Sequence, residues 1–267
     1  MYPRLLPGIS SYFFMWGVAG VVALTLGLAI TRLRGNSSVK RMVVGVLLVG
    51  SILLGARVLY VAESHLYPDQ DYVPEGLRGM AHGFRIPGGV ALLALAAPLL
   101  CRIARLPWPQ YGDDFAFVAV SMLLPIRLGC FLNGCCFGTT TSVPWGMTFP
   151  RDSWVYFYQV TRGMIPATAE ASLPTHPLQL YFLGAASLAL VLMIGVLWID
   201  GRPGLTYRTF FAVFFATTLL LEPLRANQLT LNNHLALGAT VLATLSIVSF
   251  PHSWREIFKV RRLSRYH

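Results

Sequence analysis

The sequence predicts an all-α integral membrane protein with seven transmembrane helices. Of its 267 residues, 55% are hydrophobic and only 12% are charged, a composition far from that of an average soluble domain. Seven apolar runs approach the roughly 20 residues that a helix needs to cross a bilayer. No stretch between these runs exceeds roughly 40 residues, which is short for a soluble domain. We therefore expect a single polytopic membrane domain over residues 1–267.

The apolar runs place the spans in order along the chain. We expect them at 9–31, 42–62, 86–103, 115–132, 177–199, 209–224 and 233–250. Pro98 is expected to interrupt the third span, because proline removes a helical hydrogen bond. A polar loop fills 63–85. The segment 134–176 is too polar and proline-rich to span, and we expect it to be irregular.

Basic residues predict the orientation of the spans. With the amino terminus outside, 13 of the 21 Lys and Arg residues fall in the inner segments, and seven of the 11 acidic residues fall on the outer side. This agrees with the positive-inside rule, so we expect the carboxyl terminus in the cytoplasm. The formal net charge of +10 is explained by these loops and not by a nucleic-acid partner. The first apolar run is too long for a cleaved signal peptide and should remain as a helix.

The stretch RLGCFLNGCCFG, residues 127–138, is the one around which we expect a functional site to form. An arginine deep in an apolar run costs a few kcal/mol and normally faces a bundle interior or a water-filled cavity. Glycines allow close approach of a backbone or a ligand, and Asn133 both donates and accepts hydrogen bonds. We expect this stretch to form the floor of an active site.

Three arginines, Arg57, Arg127 and Arg225, are expected at a similar depth in the outer half of the bilayer. A helical rise of about 1.5 Å per residue puts them roughly 22, 18 and 24 Å from the inner ends of their spans. Because the guanidinium fork suits phosphate, they predict a site for an anionic lipid headgroup. The alternative is that each arginine pairs with an acid, Arg225 with Glu222 and Arg57 with Glu63, or extends outward to water.

The four cysteines, at 101, 130, 135 and 136, have a spacing that does not predict a metal site. A CxxxxCC pattern without a second cluster is a poor match to a zinc site, and we expect small buried apolar side chains. A disulfide in an oxidising compartment is the alternative for the last three. A thiol oxidoreductase using Cys135 and Cys136 is disfavoured, because adjacent cysteines seldom form an unstrained bridge.

The residues around Arg127 resemble the signature of bacterial phosphatidylglycerol:prolipoprotein diacylglyceryl transferases, G-R-x-G-N-F-x-N-x-E-x-x-G. The matching positions are Arg127, Gly129, Phe131, Asn133 and Gly138. Further stretches that are similar to landmarks of this family are GARVLYV at 55–61, PWGMTFP at 144–150, HPLQLY at 176–181 and LEPLR at 221–225. The resemblance runs in order from about residue 10 to about residue 250, nearly the whole chain.

The sequence is identified as a divergent, cysteine-rich member of this family. Where the signature has its first glycine, its first asparagine and its glutamate, this chain has Ile126, Cys130 and Cys135. The HGG of the third span is replaced by Pro87-Gly88-Gly89. The histidine that the family often uses in catalysis is therefore absent from that position.

The resemblance implies transfer of a diacylglyceryl group from phosphatidylglycerol to the lipobox cysteine of a prolipoprotein, with a thioether as product. The catalytic residues would be Arg127 and Arg225, which hold the phosphate, and His82, which would replace the missing histidine as base. The substrate-binding residues would be Arg57, Asn133, Gly138, Tyr12, Tyr60, His176, Glu222, Gly88 and Gly89. An alternative role for His176 is to orient the segment 134–176.

The partners implied are phosphatidylglycerol, the prolipoprotein signal peptide and membrane lipids, with no cofactor, metal or nucleic acid. The protein would be a multi-pass monomer in the bacterial inner membrane. Because aromatic side chains favour the headgroup level, we expect 134–176 to form a periplasmic loop subdomain that lies over the site and admits the peptide. Two alternatives stay open: another phospholipid-using transferase on the same scaffold, and a non-catalytic lipid-binding membrane protein.

Overall fold

The computed structural model describes residues 4–6, 9–34, 38–66, 85–151, 153–226 and 238. Within these residues, six helices are long and apolar enough to cross a membrane, which confirms the all-α integral membrane class. The seventh predicted span, 233–250, lies outside the described residues, except for residue 238. His82 also lies outside the described residues.

Seven helices follow a short amino-terminal hairpin in the described chain. The hairpin pairs β1 (Arg4–Leu6) with β2 (Ile9–Ser10) in antiparallel fashion. A 3-10 turn, Glu222–Leu224, continues the last helix. The helices are α1 (Ser11–Leu33), α2 (Ser38–Leu66), α3 (Ile86–Ala104), α4 (Trp108–Asn133), α5 (Trp154–Thr161), α6 (Leu178–Ile199) and α7 (Leu205–Leu221).

The outward faces of the long helices are apolar, as contact with lipid requires. Among the described residues, eight large hydrophobic side chains are each more than two thirds exposed: Leu33, Val39, Val46, Leu95, Ile103, Trp198, Ile199 and Leu220. Soluble monomers rarely leave so much contiguous apolar surface in contact with water. Helices also satisfy their own backbone hydrogen bonds, which is what a bilayer interior demands.

Three predictions about these elements were wrong. The helix α4 begins at Trp108, seven residues before the predicted start, because Pro109 lies in the first turn, where its missing N–H would have no helical partner. The helix α3 runs through Pro98 without interruption. The segment 134–176 contains α5, which begins where Ser153 Oγ accepts a hydrogen bond from the Tyr156 amide at 3.3 Å.

Glycines bring α2 and α3 into backbone contact. A Cβ added to Gly55 would lie 2.3 Å from the Gly88 carbonyl oxygen, and one added to Gly88 would lie 2.3 Å from the Gly55 carbonyl oxygen. A Cβ on Gly89 would lie 2.6 Å from the carbonyl oxygen of Ile52. Such close approach is typical of small residues between membrane helices, where tight packing drives association.

A buried polar network fixes the opposite end of the bundle from Arg127. Asp114, in the second turn of α4, accepts hydrogen bonds from Arg34 Nη2 and Arg41 Nη1, both at 2.8 Å. The neighbouring Asp113 accepts two backbone amides at the start of α7, at 2.6 and 2.8 Å. Buried charges need such partners, so the network joins the ends of α1, α2 and α7 to α4. The sequence patterns did not predict it.

Candidate active site

Arg127 lies near the end of α4, with its side chain buried in the bundle. Since α4 begins at Trp108, the rise of about 1.5 Å per residue places Arg127 roughly 28 Å from the start of the helix and roughly 9 Å from its end. The residue is 8% exposed, and its guanidinium carbon lies 4.5 Å from the centroid of the Phe182 ring. Among the described residues, no carboxylate forms an ion pair with Arg127. A buried guanidinium without a paired carboxylate is suited to bind an anionic ligand.

A second arginine reaches the same ring. The helix α7 ends at Leu221, and after the 3-10 turn Arg225 has an extended backbone (φ −75°, ψ 133°). Its guanidinium carbon lies 5.9 Å from the Phe182 centroid, and its Nε donates to Glu222 Oε2 at 3.0 Å. The pairing of Arg225 with Glu222, given above as the alternative to a headgroup site, is present. Arg225 directly follows the predicted sixth span, as expected, although the last three residues of that span form the 3-10 turn.

Gly138 holds three parts of the chain together at this point. Its amide donates to the His176 carbonyl at 2.9 Å, and the next amide, of Thr139, donates to the Leu224 carbonyl at 2.8 Å. Gly138 and Arg225 also form an antiparallel bridge. A Cβ at Gly138 would lie 2.6 Å from the His176 Cβ and 2.8 Å from the Leu224 oxygen. Only glycine fits, so this position fixes the backbone that carries Arg225.

The first helix closes the site from another side. A Cβ on Gly129 would lie 2.7 Å from the Met15 Cβ, so α1 and α4 are in close contact there. Asn133 Oδ1 accepts a hydrogen bond from Ser10 Oγ at 3.4 Å. Tyr12 lies close enough to Cys130 and to the two cysteines that follow α4 to interact with them electrostatically. The structure therefore brings Tyr12 and Asn133 to the same end of the bundle as Arg127.

A small apolar groove lies beside Arg127 between α4, α6 and α7. Arg127 is the charged residue among those that line it, and the others include Leu123, Phe182, Phe210 and Phe214. On α6 the lining runs from Phe182 to Ala189, which is roughly 10 Å along the helix axis. The groove thus places a cation beside an apolar lining that follows α6.

Three cysteines meet beside the arginines, which the sequence spacing did not indicate. The Sγ atoms of Cys130, Cys135 and Cys136 all lie within 4.8 Å of one another, and none of the three is in a disulfide. Hydrogen bonds from Cys130 and Cys135, together with the positive charges of Arg127 and Arg225, lower the pKa of the Cys136 thiol. Their clustering depends on a turn after the helix that no spacing rule describes.

The remaining described residues predicted for the site lie on α2 and α3. The guanidinium carbon of Arg57 lies 5.1 Å from the ring centroid of Tyr60, and that of Arg85 lies 5.4 Å from the same centroid. Gly88 and Gly89 lie in the contact between α2 and α3. The predicted roles of these residues stay predictions. The pairing of Arg57 with Glu63 falls on a side chain outside the described part of the chain.

The segment 134–176 is folded and internally hydrogen-bonded. Gln159, which is 1% exposed, accepts the Leu173 amide at 2.7 Å. The amide of Phe149 donates to Ser172 Oγ at 2.8 Å. His176 Nδ1 lies 3.3 Å from the Tyr181 hydroxyl, which also accepts Trp145 Nε1–H at 2.7 Å. Gly138 connects this segment to His176 and its neighbour Thr139 connects it to the backbone before Arg225.

The family model and the similar proteins found by comparison with known proteins all carry the same family name. A family model described as prolipoprotein diacylglyceryl transferase matches residues 6–252. Three similar proteins are each named phosphatidylglycerol–prolipoprotein diacylglyceryl transferase. The protein of Rhodospirillum rubrum is 30% identical over 203 residues, covering 73% of this chain and 66% of the relative. That of Cupriavidus necator is 29% identical over 154 residues, covering 57% and 48%. That of Geobacter sulfurreducens is 28% identical over 218 residues, covering 80% and 72%.

The matched regions cover only part of each of these relatives. This chain spans 66% of the length of the Rhodospirillum rubrum protein and 48% of that of Cupriavidus necator.

Proposed function

The chain belongs to the prolipoprotein diacylglyceryl transferase family, and we propose that it transfers a diacylglyceryl group from phosphatidylglycerol to a prolipoprotein cysteine. The acceptor sulfur attacks the glyceryl carbon that carries the phosphoester oxygen. The carbon–oxygen bond breaks, glycerol phosphate leaves with the bonding electrons, and a thioether forms. The names of the relatives support both substrates.

The observation that carries the proposal is the position of Arg127 beside the apolar groove. A phospholipid has an anionic phosphate joined to long apolar chains, and this site has a buried cation beside an apolar groove. Ligand sites commonly combine a mostly apolar lining with a few polar groups that fix the orientation. A phosphate at Arg127 would let an acyl chain follow α6 from Phe182 towards Ala189.

Arg225 supplies a second guanidinium to the same phosphate. Its Nε is used by Glu222 at 3.0 Å, which fixes the orientation of the planar group. Arginine presents several N–H donors in a rigid fork that fits phosphate oxygens. As glycerol phosphate leaves, negative charge builds up on it, and preorganised donors that face this charge lower the barrier. Arg127 and Arg225 are therefore the residues that we assign to the leaving phosphate.

We assign the acceptor peptide to the segment 134–176. This segment joins the arginine end of the bundle through Gly138, and two of its aromatic side chains are exposed, Trp145 at 60% and Phe157 at 39%. Amphipathic aromatic rings favour the membrane interface, where a signal peptide must present its cysteine. We propose that the enzyme acts as a monomer in the bacterial inner membrane.

Mass spectrometry of a defined peptide tests this function. The purified full chain is incubated with phosphatidylglycerol vesicles and a lipobox peptide, and we expect the peptide cysteine to gain the mass of one diacylglyceryl group. A peptide with serine at that position and vesicles of phosphatidylcholine are the controls, and neither should give product. Transfer to another acceptor would instead support a different phospholipid-using transferase. Tight binding of phosphatidylglycerol without transfer to any acceptor would support a lipid-binding protein.

A further inference from the structure

We propose that Cys130, Cys135 and Cys136 form a site for a thiophilic divalent cation of the zinc class, with one coordination position left open beside Arg127 and Arg225. Zinc commonly has three protein ligands and one exchangeable position in sites that perform chemistry. The role that we assign to the open position, binding of the acceptor thiol, rests on the proposed transfer function. The presence of the site does not.

The geometry fits three thiolates on one ion. The three Sγ atoms lie within 4.8 Å of one another, while tetrahedral zinc with sulfur at about 2.3 Å needs sulfurs roughly 3.8 Å apart. A change of about 1 Å or less would close the set, which rotation of the side chains can supply. Thiolate ligands select zinc and cuprous ions over the hard cations that prefer oxygen.

The backbone is shaped to bring the sulfurs together. Adjacent side chains on an extended strand point to opposite sides, so Cys135 and Cys136 would diverge there. Instead, Gly134 and Cys136 both have left-handed backbone angles, with φ of 69° and 57°. A non-glycine residue in this region is uncommon and is strained unless its surroundings hold it. The turn returns to the end of α4, where the Cys135 amide donates to the Cys130 carbonyl at 3.1 Å.

The surroundings suit an ion with three negative ligands. Arg127 and Arg225 both lie close enough to Cys136 to interact with it electrostatically, so their positive charges favour anionic ligands at this place. Gln179 is fully buried and donates from Nε2 to the Cys135 carbonyl at 2.7 Å. Its Oε1 has no hydrogen-bond partner among the described residues. Cys136 is exposed, so a fourth ligand can approach from its side.

A thiol bound at the open position would be deprotonated by the cation, since a coordinating thiol binds as its thiolate. The proton passes to solvent, and the cation keeps its charge throughout. The bound sulfur then attacks the glyceryl carbon, the carbon–oxygen bond breaks, and the phosphate leaves towards Arg127 and Arg225. This arrangement supplies the thiolate that the transfer needs without a separate base.

Metal binding by the full chain in detergent tests the site without using activity. We expect the reduced protein to retain about one zinc ion per chain, because the three sulfurs form one site. Cobalt(II) in place of zinc should give the absorption of a thiolate-bound tetrahedral ion. Cys130→Ser, Cys135→Ser and Cys136→Ser should each weaken zinc binding by more than the roughly 10- to 100-fold lost when a residue that only orients a ligand is removed. Cys101→Ala is the matched control, since Cys101 is packed among α2, α3 and α4, and it should bind zinc normally.

A second measurement covers variants that do not fold. Zinc should slow the alkylation of Cys135 and Cys136 in the wild-type protein, and a chelator should restore their reactivity. Three results would each overturn the site. The folded wild-type protein could retain no zinc, or the three serine variants could bind zinc as tightly as the wild type. The protection could also come from a disulfide that a reductant removes.

The assigned role has its own readout. A lipobox peptide with cysteine should change the cobalt spectrum, and the same peptide with serine should not. If the spectrum changes but no diacylglyceryl transfer is found, the proposed function fails and the site stands. If metal-free protein transfers the lipid as fast as loaded protein, the proposed function stands and the role of the ion is overturned.

Discussion

The guanidinium groups of Arg127 and Arg225 face the same phenyl ring, that of Phe182, at 4.5 and 5.9 Å from its centroid. Each gains a cation–π contact of about 0.5–2 kcal/mol, yet two like charges held this close in a membrane repel each other. Glu222 compensates one of them. The remaining positive charge makes an anion between the two arginines favourable, and a lipid phosphate would supply it.

Lysine should replace either arginine poorly. Arg127→Lys and Arg225→Lys keep the charge but lose the planar fork, so we expect turnover to fall by roughly 100-fold, the lower end of the cost of removing one transition-state donor. The measurement is the rate of lipid transfer by protein that elutes as folded monomer. Arg102→Lys, at an exposed position in the last turn of α3, is the control and should retain full activity. Arg57→Lys should have a smaller effect. Loss of folded protein in step with loss of activity would instead assign packing to Arg127 and Arg225.

Filling the groove should discriminate between lipids by chain length. Ala185 lines the groove on α6 and is half-buried, so Ala185→Phe would occupy the space assigned to an acyl chain. We expect the KM for long-chain phosphatidylglycerol to rise by roughly tenfold, with a smaller change for a short-chain analogue. Leu188→Phe, on the exposed face of the same helix, should leave both values unchanged. An equal rise for both lipids would place the acyl chain elsewhere.

Substitution in the glycine contact between α2 and α3 should lower the stability of the folded protein. Gly88→Ala puts a methyl group 2.3 Å from the Gly55 carbonyl oxygen, and we expect a loss of about 1–3 kcal/mol in the free energy of unfolding. Gly50→Ala, in α2 with nothing within 4 Å of the added carbon, should be neutral or stabilising. Thermal unfolding in detergent measures both. Unchanged stability with a raised KM for phosphatidylglycerol would favour the substrate-binding role that the family resemblance implies.

The aromatic surface of the segment 134–176 should affect the acceptor and not the donor. Trp145 is 60% exposed and donates to the Tyr181 hydroxyl, so Trp145→Ala removes interfacial area with little change in the core. We expect the KM for the lipobox peptide to rise by roughly tenfold, or about 1.4 kcal/mol, with the KM for phosphatidylglycerol unchanged. Trp198→Ala, 88% exposed near the other end of α6, is the matched control. A change in the lipid KM alone would contradict the assignment.

The orientation predicted from charge is open to a direct test. The bias of basic residues towards the inner segments predicts a cytoplasmic carboxyl terminus. A reporter enzyme that works only in the periplasm should therefore be inactive when fused there. The same reporter inserted in the segment 134–176 should be active. The reverse pattern would place the arginine end of the bundle on the cytoplasmic side.

Sequence reasoning succeeded where the determinants are local. The apolar runs defined the six described spans, and Glu222 and Arg225 are three residues apart, so their pairing needed only a turn. It failed where distant segments meet. Nothing in the pattern around 127 or 225 indicates that both arginines reach Phe182, because this depends on how α4, α6 and α7 pack. The cysteine cluster was missed because a left-handed turn at Cys136, and not the spacing, brings the sulfurs together.

The bridge between Gly138 and Arg225 also has a consequence for biosynthesis. Gly138 leaves the ribosome well before Arg225, and at about 5–20 residues per second the interval is several seconds or more. During that time α4 can already lie in the membrane, but the Thr139 amide has no Leu224 carbonyl to bond. The phosphate site is therefore completed only after α7 has inserted. A nascent chain released before that point would carry Arg127 in α4 without Arg225 to complete the site.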